Sequence, residues 1–307
     1  MPFLKRVGSP LKWRGAPESR VGCRVAVYAA PEEKAVSMKQ RPGHRIERDG
    51  QHLYYEVYGS GPPVLLLHSF LCSIELWDDQ IAALRQDYQV IAMDIRGHGR
   101  SGHSLPHTLE SLVDDALAVL DAEGISAAHW CGLSIGGMIS IRAAIREPGR
   151  VRSLILMDTD AGPEKRGVVF RHWLLEAAVR VLGLKSVKGP VMDLMFGRST
   201  HQDQPELVEI WGNRFEELHV PSMMRTLRAL DRRRDLVPLL SGVHRPALVI
   251  HGDEDRALSR RRGQLIADTL PRAEWLLLRR VGHLCTLEAP DAVNERLVAF
   301  LAKHTQG

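Results

Sequence analysis

Cysteine is scarce in this chain, and what there is of it is not paired in spacing. Cys23, Cys72, Cys131 and Cys285 are spread over 307 residues. That argues against a disulfide scaffold and against a zinc site built on cysteine pairs, and it fits a reducing, cytoplasmic compartment. Long apolar runs are missing too: no stretch approaches the length of a membrane span, and the N-terminus carries no signal-peptide core. There is no internal repeat. Positive charge looks abundant at a net +4, but it is badly distributed for nucleic-acid binding. Residues 1–37 hold seven basic and three acidic residues, so this segment alone carries +4 and the remaining 270 sum to about zero. Residues 1–43 have Gly and Pro at short intervals and no helical period, which predicts a disordered extension. Met38 offers a simple alternative start of translation.

What remains is an ordinary globular composition, 44% apolar and 25% charged. From residue 44 the patterning alternates. His44–Arg48 and His52–Tyr58 read as a hairpin around Asp49-Gly50. Val64–His68 and Gln89–Met93 read as buried strands, with a helix between them capped by Ser73. Thr108 can cap a helix that Gly124 stops. Ala127–Cys131, Leu154–Met157, Ala247–His251 and Trp275–Leu278 read as further strands, and Ala289–Lys303 as a closing helix. Alternating strands and helices predict an α/β fold, a mostly parallel central sheet flanked by helices. Between residues 161 and 241 no strand pattern is visible. Helical stretches there carry Trp173, Leu174, Leu175, Met192, Leu194, Met195, Phe196, Trp211, Phe215, Met223 and Met224. Most of these should be helix–helix core, and a helical block inserted between two sheet strands is what a lid over a pocket looks like. The expected organisation is therefore 44–160 and 242–307 as sheet core and 161–241 as lid.

The chemistry centres on Gly132-Leu133-Ser134-Ile135-Gly136, set between a strand and a helix. A serine hydroxyl is a poor nucleophile and must stand clear of the backbone where a base can reach it. A sharp strand-to-helix turn does this, provided that glycine occupies the crowded neighbouring positions. Two further signals follow in order. His251-Gly252-Asp253-Glu254-Asp255 ends a β-branched strand, and Val281-Gly282-His283 follows another. Serine, then acid, then histidine is one chain order in which a nucleophile, an orienting acid and a base are assembled.

With these motifs the sequence resembles the α/β-hydrolase family over roughly residues 44–304. The likeness includes Leu66-Leu67-His68-Ser69-Phe70, Asp94-Ile95-Arg96-Gly97-His98-Gly99-Arg100-Ser101, the serine turn, and Gly282-His283 followed by Glu288-Ala289-Pro290. Within the family it is most similar to small-molecule serine hydrolases: 3-oxoadipate enol-lactonases, carboxylesterases, carbon–carbon hydrolases of ring-cleavage products and cofactor-free perhydrolases. The resemblance implies Ser134 as nucleophile, His283 as general base and Asp255 as the orienting acid, chosen over Asp253 by its spacing from Gly252. Asp158 and Asp160 are rival positions for the acid. It implies an oxyanion hole from the backbone N–H groups of Phe70 and Ile135. The substrate expected is a small ester or lactone, with no cofactor and no metal. A non-catalytic ligand receptor on the same fold is the reading from a different class. Two departures stand out: Ser69 where glycine is common, and Ile135, whose branched side chain is expected to narrow the pocket. His98 and His103 have no third ligand at metal-like spacing. Arg232-Arg233-Arg234 is expected to be a solvated face, the alternative being that arginines of the lid attract an anionic substrate.

Overall fold

The computed structural model describes residues 41–305. The expectations for residues 1–40, including the start at Met38, lie outside the described residues. Gly43 already belongs to the first strand. Eight strands form one sheet: β1 (Gly43–Arg48), β2 (Gln51–Tyr58), β3 (Pro63–Leu67), β4 (Gln89–Met93), β5 (Ala128–Leu133), β6 (Val151–Met157), β7 (Ala247–Gly252) and β8 (Ala273–Leu278). Their spatial order is β1-β2-β4-β3-β5-β6-β7-β8. β1 pairs antiparallel with β2, and β2 with β4; every other pairing is parallel. Asp49 and Gly50 both have positive φ at the β1–β2 turn, as a two-residue hairpin of matching twist requires.

The strands β3, β5 and β7 are buried at every position, which explains why they are apolar apart from His129 in β5 and His251 in β7. Successive residues feed opposite faces. Leu66, Cys131 and Ile155 join one core with Val293, Leu297 and Phe300, while Leu65, Leu67, Trp130 and Leu154 join the other with Val113 and Ile139. Each fully buried Leu, Ile or Phe stabilises the fold by about 1.5–3 kcal/mol. Helices cover both faces: α1 (Asp78–Leu84), α2 (Leu109–Ala122), α3 (Ile135–Arg146), α9 (Arg260–Thr269), α10 (Cys285–Glu288) and α11 (Pro290–Thr305). Thr108 caps α2 through a reciprocal pair with Ser111.

One local expectation needs correction. Ser73 precedes a short 3₁₀ turn, Ile74–Trp77, and its hydroxyl bonds the Glu75 carboxylate rather than a backbone N–H, so α1 begins only at Asp78. The helix α9 fills a span between β7 and β8 to which the sequence assigns no element. Only Gly263 and Ile266 of it are fully buried, so its apolar period is too sparse to see.

Between residues 161 and 241 the described chain has no strand. It folds into α4 (Arg166–Leu182), α5 (Lys188–Met195), α6 (Arg198–Asp203), α7 (Pro205–Glu216) and α8 (Val220–Asp231). Met192, Met195, Phe196, Trp211, Phe215, Met223 and Met224 are buried among them as expected, but Trp173, Leu174 and Leu194 are exposed. No described helix is long and apolar enough to cross a membrane.

Candidate active site

β3 lies between β4 and β5, so the chain leaves its carboxyl end in one direction and returns from the other. At such a reversal the loops diverge and leave a crevice. The loop after β3 carries Ser69, Phe70 and Leu71, and the turn after β5 carries Ser134. All four line one cavity of about 160 Å³, and so does His283.

Ser134 sits between β5 and α3 with φ +54°, a region that non-glycine residues rarely occupy. The strained turn is held by its backbone. The Ser134 N–H donates to the Met157 carbonyl at 2.8 Å, and its own carbonyl accepts from Thr159 Oγ1 at 2.6 Å. The flanking glycines are required by space. A Cβ on Gly132 would lie 2.2 Å from the Gly136 carbonyl carbon, and one on Gly136 would lie 2.0 Å from the Leu67 oxygen. Leu71, Asp158 and Arg280 also have positive φ, so most non-glycine strain falls on loops that border the site.

His283 is buried. Its Nδ1 donates to Asp255 Oδ2 at 2.9 Å, and the other oxygen of Asp255 accepts the N–H groups of Ala257 and Leu258, each at 2.8 Å. The rival acids are engaged elsewhere. Asp253 accepts from the Arg280 N–H at 2.7 Å, Asp158 from the Gly252 N–H at 2.8 Å, and Asp160 from Gly162 N–H, Arg233 and Arg262. Burial opposes charge on His283, but the adjacent Asp255 outweighs it and raises the imidazole above its ordinary range. Burial likewise opposes ionisation of Asp255, yet His283 and His251 hold it below the usual carboxylate range.

Two residues without an assigned role in the sequence reading support this pair. Glu288 clamps the histidine loop: its carboxylate accepts the N–H groups of Gly282 at 2.9 Å, Leu284 at 3.0 Å and Gly197 at 2.8 Å. His251 stands behind Asp255, its Nε2 donating to the Leu258 carbonyl at 3.0 Å and lying 3.3 Å from Asp255 Oδ2. Burial disfavours its charged form, but Asp255 and Asp158 prevail and push it up to about 9. Asp158, His251 and Asp255 bring ligand-type atoms within 4.8 Å of one another. The Asp255 oxygens and His251 Nε2 are already engaged in the contacts above, and His251 Nδ1 lies 3.8 Å from Asp158 Oδ1, beyond hydrogen-bond reach, so the three residues form a buried cluster held by charge.

The backbone N–H groups of Phe70 and Ile135 have no protein acceptor among the described residues. Ile135 opens α3, where the first N–H groups are always unpaired within the helix. Its side chain is fully buried in the sheet core and does not border the cavity, so it does not narrow the pocket; Met138, one turn on, lines it instead. His68 is locked as the neutral imidazole: Nε2 accepts the Ile95 N–H at 2.9 Å, Nδ1 donates to the Ser69 carbonyl at 2.7 Å, and burial lowers it to about 4. His98 packs against His68 and Phe70, whereas His103 stacks on His219, so the two do not share a site.

The helical block closes the cavity with Leu175, Val191, Leu194, Met195, Leu227 and Leu230. Three polar residues that local spacing did not reveal also line it: Glu164, His172 and Arg233. Arg232 and Arg234 are exposed as expected, but Arg233 between them is buried, which corrects the solvated-face reading.

Residues 62–290 match the alpha/beta hydrolase fold. The chain belongs to that family. It is 31% identical, over 94% of its length and 78% of the other protein's, to the dihydrolipoyllysine-residue acetyltransferase component of the acetoin cleaving system of Pseudomonas putida. It is 28% identical to 3-oxoadipate enol-lactonase 2 of Acinetobacter baylyi, covering 82% of this chain and 93% of that one. Among solved structures, the enol-lactonase of Burkholderia xenovorans LB400 superposes with a TM-score of 0.79 at 27% identity, covering 84% of this chain and all of the other. Family and relatives together support hydrolase activity on a small substrate.

Proposed function

We propose that the protein is a serine hydrolase that cleaves a small ester or lactone through an acyl-enzyme intermediate. The observation that carries this reading is the convergence on one cavity of Ser134, on its strained turn, and of His283, bonded to a buried Asp255. With Nδ1 committed to Asp255, the remaining nitrogen Nε2 is the one available to Ser134. In the proposed reaction Ser134 Oγ attacks the substrate carbonyl while Nε2 takes its proton. The carbonyl oxygen becomes an oxyanion and accepts the N–H groups of Phe70 and Ile135, donors that contribute on the order of 3–4 kcal/mol each. The imidazolium, stabilised by Asp255, returns the proton to the leaving oxygen as the carbon–oxygen bond breaks. Water, deprotonated by His283, then releases the acid and restores Ser134. The 3-oxoadipate enol-lactonases among the relatives support a lactone or ester substrate by similarity.

Pre-steady-state hydrolysis of p-nitrophenyl butyrate tests this. A burst of nitrophenolate equal to the enzyme concentration is expected wherever acyl-enzyme breakdown is the slower step. No turnover of any aryl ester or lactone would favour a ligand receptor. Turnover confined to ring-cleavage products would favour carbon–carbon hydrolysis by the same residues.

A further inference from the structure

The cavity contains one permanent cation, Arg233, and that cation is already neutralised. Its side chain is 2% exposed. Four of its five N–H bonds go to protein acceptors: Nε to the Gly162 carbonyl at 2.9 Å, Nη1 to Glu164 Oε2 at 2.9 Å and to the Leu230 carbonyl at 3.0 Å, and Nη2 to Asp160 Oδ2 at 3.0 Å. Arg262 closes the cluster, bonding Asp160 Oδ2 and lying 3.6 Å from Glu164 Oε1. Two guanidiniums face two carboxylates, so the group carries no net charge. The second basic side chain of the helical wall, His172, donates Nδ1 to Asp231 at 2.7 Å. The rest of that wall is aliphatic or Met.

A carboxylate entering such a cavity loses its water and needs a cation or several donors in exchange. Here a third carboxylate beside Asp160 and Glu164 would leave the cluster with excess negative charge. Both acids contact both arginines and accept a backbone N–H, but of the two it is Glu164 that borders the cavity itself. We propose that Glu164 is a specificity-determining residue: by neutralising Arg233 it closes the cavity to acyl groups with a free carboxylate and reserves it for uncharged ones. This rests on the serine-hydrolase reading above, and it sets the chain apart from any lactonase whose substrate keeps a free acid.

The test compares two substrates of nearly equal shape, mono-p-nitrophenyl adipate and the same compound with its free acid methyl-esterified. For the wild-type full chain, kcat/KM for the free acid should be lower by about 50-fold, the order expected for an uncompensated charge in a largely apolar site. Glu164→Gln leaves Arg233 with surplus positive charge and should narrow that ratio by about tenfold, with the gain lost in high salt. Glu164→Ala should narrow it too, and serves where the glutamine variant folds poorly. Wild-type values within threefold of each other, or a ratio unmoved by both variants, would overturn the proposal. A wild type that turns over neither compound, with Ser134 unreactive to a fluorophosphonate, would overturn the hydrolase reading itself; turnover without selectivity overturns only the role of Glu164.

Discussion

The two walls of the cavity are built by different rules. On the sheet side, backbone hydrogen bonds at strand ends position Ser134 and the His283–Asp255 pair. The Ser134 amide is tied to β6, the Gly252 amide to Asp158, and the amides either side of His283 to Glu288. On the helical side, side-chain packing does the positioning, and it is uneven. α8 buries seven of its residues, whereas α4 buries only Val179 and turns Phe170, Trp173, Leu174 and Val181 outward at helical spacing. The contrast teaches that the proposed reacting groups sit on short, rigid stretches, while the rest of the cavity wall is assembled from contacts between distant residues.

If the rigid wall carries the chemistry, the largest effect should come from its hydrogen-bonded acid. Asp255→Asn should lower kcat by about three to four decades, because the imidazole loses both its tautomer and its counter-charge. Asp253→Asn, two residues away but turned toward Arg280, should stay within about tenfold. Steady-state assays on both variants decide between the neighbours, and a mild Asp255→Asn with a severe Asp253→Asn would break the assignment.

Next in size is the turn. Gly136→Ala places a methyl carbon 2.0 Å from the Leu67 oxygen. It should destabilise the fold by about 3 kcal/mol or more, since neither backbone can yield without disturbing β3 or α3. Thermal unfolding reads this directly. An unchanged melting temperature would show that the rigid wall is softer than its contacts imply.

The pH dependence should be smaller and should also follow the sheet side. His283 must be neutral to act as base, and Asp255 raises it, so kcat/KM should fall on acidification with a midpoint above 6.5. Stability should show a separate change. His251 is raised in the folded state, so its contribution is fully present below about 6.5 and is lost as pH rises through about 9. The melting temperature should drop across that window, and His251→Asn should flatten the drop. A wild-type melting temperature that stays level from pH 6.5 to 9 would contradict the buried Asp158–His251–Asp255 arrangement.

The smallest effect is expected on the outer face of the helical block. Trp173 is 61% exposed, so Trp173→Ala should change stability by no more than about 0.5 kcal/mol in a thermal melt. A larger loss would mean that the packed wall extends further out than α4's burial shows.

The same contrast governs what could be read from the sequence. Gly132, Ser134 and Gly136 are legible because one turn imposes all three, and the buried strands are legible because both faces of each are covered. The helix α9 is not legible because three arginines open it and little of it packs inward. The expected narrowing of the pocket by Ile135 fails because adjacency to Ser134 in the chain does not put its side chain on the cavity side. The Arg233 cluster joins residues 69, 73 and 102 positions apart, so no local pattern announces it. Of the candidate site, the proposed nucleophile, base and acid follow from motif; the apolar wall and its neutralised arginine follow only from tertiary packing.

The central claim is that Ser134 is the nucleophile, and covalent labelling tests it most directly. The full chain would be treated with a fluorophosphonate and mapped by peptide mass spectrometry, beside Ser134→Ala, in which the glycines still hold the turn. A single adduct on Ser134 in the wild type is expected, with no adduct in the variant and turnover reduced by about three decades or more. An unlabelled wild type, an adduct on another residue, or a variant keeping a tenth of the activity would contradict it.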